Sequence, residues 1–325
     1  MSRKLTVDAH VSLEEVNRVV PREEQGSTMI PVAMLGLSSA EAIPLYHYTP
    51  GGVILRIALA GHAGTLFECE GFPICVFGDG SRLALMPVDT SLILYKARQW
   101  RVDAVFLDGL EPLNSLGEDE LLDLIEAFKR HGFRVGARTL GLSSPSVVER
   151  LDFAVIDYMK DYSVDPAVPG EAIRLIYDLL EVEKPWIEVS AYIKEPSFWR
   201  LHPLVLALSG SERPVHVFIE DHKGGGPLRD LYEELKRRMP YVYIHNDLYS
   251  RLDTYCPRCK APIASRDEGV LRALEVLDDE RCWKCGYKLA FRGRIRKKTP
   301  EQLLLSTEGG VKWFHPSQLV GGLAR

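Results

Sequence analysis

Amide side chains are scarce in this 325-residue chain. There are three asparagines (Asn17, Asn114, Asn246) and four glutamines (Gln25, Gln99, Gln302, Gln318), a shortage of heat-labile residues that hints at a thermophilic source. Long apolar runs are also missing. None approaches the roughly 18 residues that span a bilayer, so no membrane segment is expected. The start, Met1-Ser-Arg-Lys-Leu-Thr-Val-Asp-Ala-His10, lacks the apolar stretch of a secretory signal, and a cytoplasmic location is the expectation. Positive charge is in slight deficit, with 40 Lys and Arg against 45 Asp and Glu, which argues against a surface coated throughout for nucleic acid. What is present is ordinary globular material, 46% hydrophobic and 26% charged, and long enough for a sizeable core.

The first forty-odd residues give mixed signals. Ser12–Val20 starts like a helix, with Ser12 as N-cap, and is cut short by Pro21. From Val53 a regular rhythm takes over. Short runs rich in β-branched and aromatic residues read as strands at Val53–Ala60, Ala104–Asp108, Phe133–Ala137, Phe153–Asp157, Trp186–Ala191, Val215–Ile219 and Val242–His245. Amphipathic stretches between them read as helices at Thr90–Trp100, Glu118–His131, Gly170–Leu180, Ser197–Leu208 and Leu228–Arg238. Alternation at this spacing predicts an α/β fold, a parallel sheet with helical crossovers. Six or seven units suit a partial or complete βα-barrel better than the alternative, a doubly wound open sheet. Four regions follow: an N-terminal segment (1–43), the barrel (44–250), a small cysteine module (251–291), and a basic run with a C-terminal tail (292–325).

The cysteine module carries the clearest chemical signal. Cys256-Pro-Arg-Cys259 and Cys282-Trp-Lys-Cys285 are two Cys-x-x-Cys knuckles separated by 22 residues. Each offers two sulfurs from one tight turn, and together they can close a tetrahedron around Zn²⁺. Four thiolates leave no open coordination position, so the expected role of this zinc ribbon is structural.

At Pro44-Leu-Tyr-His-Tyr-Thr-Pro-Gly-Gly52 the sequence resembles the segment leading into the barrel of radical S-adenosylmethionine (SAM) enzymes. The group in question is the AmmeMemoRadiSam group, related to pyruvate formate-lyase activating enzymes. Ala104-Val-Phe-Leu-Asp-Gly-Leu-Glu-Pro112 is similar to the strand that ends in its Gly-Gly-Glu-Pro-type motif. Ile156-Asp-Tyr-Met-Lys160, Pro214-Val-His216, Tyr241-Val-Tyr-Ile-His-Asn246 and the cysteine module continue the likeness in order, over about Pro44 to Phe291. The resemblance implies a [4Fe–4S] cluster held by three cysteines after the first strand, with SAM on the open iron. Laid on that spacing, the three positions here are His62, Leu66 and Cys69. Leucine ligates nothing and imidazole is an unusual substitute for thiolate, so the ordinary cluster is not supported. Cys75, in the apolar run Phe72–Phe77, is the one further thiol nearby.

The expectation is therefore a radical SAM-like protein that has lost its cluster, a binding or regulatory scaffold and not an active radical enzyme. Two alternatives stand beside it: an active radical SAM or SAM-dependent enzyme with an altered cluster, and an RNA- or ribosome-associated module. For the cofactor pocket the candidates are Cys69 with Glu111, Lys160, His216 and Asn246, which fall at or near strand ends where a barrel binds ligands. A solvated surface lysine and a satisfied core histidine are the plain readings of Lys160 and His216. For RNA the candidates are Arg292, Arg294, Arg296, Lys297 and Lys298, five charges in seven residues beside the ribbon. A solvated surface strand is the plain reading of that run.

Overall fold

The computed structural model describes residues 28–59, 85–109, 111–162, 165–182, 184–220, 225–267, 269–304 and 311–318. The N-terminal helix expected at Ser12–Val20 and the loop carrying His62, Leu66, Cys69 and Cys75 lie outside the described residues.

Seven parallel strands form the body of the molecule: β3 (Val53–Ala58), β5 (Ala104–Asp108), β6 (Arg134–Thr139), β7 (Phe153–Tyr158), β8 (Trp186–Ile193), β9 (Val215–Ile219) and β10 (Val242–His245). They lie side by side in chain order. Strand order never reverses, as a doubly wound sheet requires. Right-handed crossovers that always advance the same way put every connecting helix on one face. These helices are α1 (Thr90–Gln99), α2 (Glu118–Arg130), α4 (Val168–Leu180), α5 (Phe198–Leu208) and α6 (Gly225–Lys236), with a single-turn α3 at Pro145–Val148. Neighbouring helices α4, α5 and α6 pack on one another.

Two antiparallel strands extend the sheet beyond β3, namely β2 (Met34–Ser39) and then β14 (Val311–Phe314), giving nine strands. Neither was expected, because each is short and flanked by irregular chain. Among the described residues the edge strands β10 and β14 do not pair with each other, so the sheet is open. Met29–Val32 (β1) pairs with Met86–Asp89 (β4) as a separate ribbon. The remaining strands, β11 (Thr254–Tyr255), β12 (Pro262–Asp267) and β13 (Val270–Leu274), make the small sheet of the cysteine module, and one helical turn, α7 (Glu301–Leu304), follows the basic run.

Alternation along the strands assigns the two faces. Leu55, Val105, Val135, Ala154, Ile187, Val217 and Ile244 meet the helices in the main core. The other face is aromatic and charged. Its first layer, near the strand starts, joins Phe106, Phe153, Trp186 and Tyr243 to Tyr46 and Tyr48. Gly136 sits in this layer because nothing larger fits: a Cβ there would lie 2.2 Å from the Phe153 ring.

Candidate functional site

The second face of the sheet buries charge in two places. The first lies toward the strand C-termini. Arg56 on β3, Asp108 on β5, Arg138 on β6 and Asp157 on β7 form an alternating chain of ion pairs. Arg138 donates from Nε to Asp108 at 3.3 Å and from Nη1 to Asp157 at 2.7 Å. All four side chains are buried, and ionised together they sum to zero charge. Mutual pairing is what makes this burial tolerable, since an isolated charge there would be far too costly. Asp108 also accepts the Gly109 N–H, and the two guanidiniums hold its carboxyl low. Asp157 is less well served. Its Oδ2 has no hydrogen-bond partner, and burial lifts its carboxyl to about 7 against the pull of Arg138.

The second place lies deeper, beneath the segment Pro44–Gly52. Glu188 on β8 accepts the backbone N–H groups of Tyr46, His47 and Tyr48 at 2.8–2.9 Å. His216 on β9 lies 3.1 Å from the same carboxylate through Nε2 and 3.2 Å from His245 Nε2 through Nδ1. Burial holds His216 and His245 well below their ordinary pKa, so both rings are neutral. With the His216 Nε2–H donating to Glu188, Nδ1 accepts from His245. His47 is also neutral, pushed down to about 3 by burial, and bonds Tyr243 Oη at 2.6 Å and the Ala290 carbonyl at 3.2 Å. The segment that carries the resemblance is thus a structural plug, gripped by the sheet from one side and by the cysteine module from the other.

The sequence-derived pocket residues fare differently from one another. Glu111 is buried in a left-handed conformation (φ 54°) and braces the end of β6, accepting from Thr139 Oγ1, Leu140 N and Ser143 Oγ. Preceding it, Gly109 (φ 126°) passes so close to β3 that a Cβ would lie 2.5 Å from the Leu59 carbonyl oxygen. Asn246 donates to the Ile219 carbonyl and accepts from Leu248 N, tying the end of β10 to that of β9. His216 belongs to the buried Glu188 group, and Lys160 is exposed. Among the described residues Glu111, Asn246 and His216 each bond to different partners, and Cys69 lies outside them.

Arg56, Asp108, Arg138, Asp157 and Glu188 were missed. For Arg56, Asp108, Asp157 and Glu188 the signal was present, since each is the one charge of its strand, a placement that demands a partner, whereas Arg138 shares its strand with Arg134.

In the cysteine module the four sulfurs of Cys256, Cys259, Cys282 and Cys285 lie within 4.8 Å of one another, a set that can hold one metal ion. The Cys256–Cys285 and Cys259–Cys282 sulfur pairs are each 3.6 Å apart. The Ala261 N–H points at the Cys259 sulfur and holds that thiol down to about 7. Such N–H···S bonds favour the thiolate that binds metal. The module docks through Arg266, which donates to the Tyr46 carbonyl at 3.0 Å and lies over the Tyr46 ring.

Much of the basic run is spent on docking as well. Arg294 and Arg296 both pair with Asp103, at 3.2 and 3.0 Å, and Lys298 pairs with Glu301 at 2.6 Å. No described helix is long and apolar enough to cross a membrane. No family model matches the chain, and no curated protein matches it.

Proposed function

We propose that the chain is a radical SAM-like partial βα-barrel that has lost cluster-based chemistry. In this reading it serves as a non-radical binding or regulatory scaffold, with a structural zinc in its ribbon. The observation that carries it is the Arg56–Asp108–Arg138–Asp157 chain. The groups at the strand ends, where a barrel keeps its reactive site, are bound up with one another. Seven parallel strands in chain order, with all crossovers on one face, are what a partial barrel needs.

The donor set for a cluster does not fit, since Leu66 has no ligand atom and His62 replaces a thiolate, so no reaction step is derived through iron or SAM. For the ribbon the fit is good. Zn–S bonds of about 2.3 Å in a tetrahedron put sulfurs about 3.8 Å apart, close to the 3.6 Å of the two sulfur pairs.

Metal analysis of anaerobically purified protein tests both halves. One zinc per chain and no iron is expected. A brown protein that carries iron and cleaves SAM under reduction overturns the loss of radical chemistry.

A further inference from the structure

A cavity of about 690 Å³ opens at the opposite end of the sheet from the ion-pair chain, between the strand starts and the beginning of the basic run. Trp186, the first residue of β8, lies in its wall. Two guanidiniums lie over that indole, Arg213 at 4.2 Å and Arg292 at 5.2 Å from the ring centroid. Arg213 comes from the turn before β9 and Arg292 from the start of the basic run, so two separate parts of the chain converge here.

Neither arginine of this pair has a carboxylate within ion-pair distance among the described residues. Arg56, Arg138, Arg266 and Arg296 each have a carboxylate within 3.8 Å. Among the described residues, the one hydrogen bond from either guanidinium of the pair is from Arg292 to the Phe291 carbonyl. The acids of the cavity are engaged elsewhere or face solvent. Asp152 accepts from Val135 N and Arg134, Glu212 accepts the Tyr287 hydroxyl, and Glu181 is exposed. Glu188, whose charge Arg213 does feel, is committed to the plug. Arginine cannot escape by losing its proton. Burial and the charge of Arg292 both act against Arg213. Two forked donors of like charge, Arg213 half-buried and Arg292 exposed, facing a shared cavity, match the geometry of a bidentate oxyanion.

We propose that this cavity is an oxyanion site in which Arg213 and Arg292 bind phosphate or a phosphate monoester, with Trp186 holding both guanidiniums in place. The volume admits a ligand larger than the ion itself. The site is separate from the strand-end region and does not depend on whether that region ever held a cofactor.

Isothermal titration of the full chain with inorganic phosphate and with AMP tests the proposal, using chloride at matched ionic strength as the control. Saturable 1:1 binding is expected, and losing a charge-assisted hydrogen bond in Arg213→Gln should weaken it about tenfold or more. Tighter binding of AMP makes the monoester the ligand, and equal binding means the phosphate group alone suffices. Because Arg292 is exposed, Arg292→Gln gives a second variant, its fold checked by an unchanged denaturation midpoint, with the same loss expected. Absence of binding by both probes, or unchanged affinity in Arg292→Gln, overturns the proposal.

Discussion

The Glu188 carboxylate and the His216 imidazole meet 3.1 Å apart with neither side chain exposed to solvent. Glu188 is the acceptor on which the plug converges, and His216 props it from the neighbouring strand. Replacing it should therefore damage the fold rather than any chemistry. In Glu188→Gln one acceptor oxygen becomes an NH₂ that faces backbone N–H groups. Each buried donor left unsatisfied costs about 1–3 kcal/mol, so a stability loss of that order is expected. Chemical denaturation of the variant against the parent is the check, and an unchanged midpoint would show that the plug does not need this carboxylate.

Asp157 gives a pH signature of defined sign. Its carboxyl titrates near 7 in the folded protein, against about 3.9 in an unfolded chain. Between these values the native state holds a proton that the unfolded state has lost. The contribution to stability is full below about pH 4 and is lost as pH rises to about 7. Asp157→Asn removes that slope. The variant should gain on the parent from pH 4 to 7 and hold a constant difference above it. The neutral histidines slope the opposite way, but they are common to both proteins and cancel in the difference. Parallel stability curves for the two proteins would place Asp157 at an ordinary pKa.

Gly136→Ala tests the aromatic layer. The added methyl meets the buried Phe153 ring at 2.2 Å, and overpacking of this kind costs about 1–3 kcal/mol. Phe153→Leu in the same chain should recover part of the loss by making room. Additive effects of the two substitutions in a double-mutant cycle would mean that the residues do not contact each other.

Cys259→Ser should release the ribbon's metal, and so should a strong chelator acting on the parent. Trp283, which donates its indole N–H to the Pro262 carbonyl beside the first knuckle, reports the change by fluorescence. A metal-free protein with unaltered Trp283 emission would mean that the module holds its shape without an ion.

Much of the architecture was legible because its signals are local. Ala104–Asp108, Val215–Ile219 and Val242–His245 fall where the runs of β-branched residues end, and Glu118–Arg130 begins and stops on its own acids and bases. The four cysteines were readable for the same reason, each pair being a single turn. β2 and β14 were not, because they are strands only by pairing across the chain, Leu35 against Phe314 for instance. The ion-pair chain was hidden in a similar way. Nothing near Arg138 in sequence names Asp108 or Asp157 as its partner. That follows only from three neighbouring strands presenting alternate residues to one face. Asn246 and Glu111 were found at strand ends, yet local spacing did not reveal that their hydrogen bonds are spent on the backbone.

The plug also bears on how the molecule assembles. Tyr46 waits for Glu188, 142 residues further on, and His47 waits for Ala290, 243 residues further on. A segment is thus completed only by residues synthesised far downstream of it. Contacts of such long separation are slow to form. Until the cysteine module emerges, the nascent chain carries its aromatic layer without that cover.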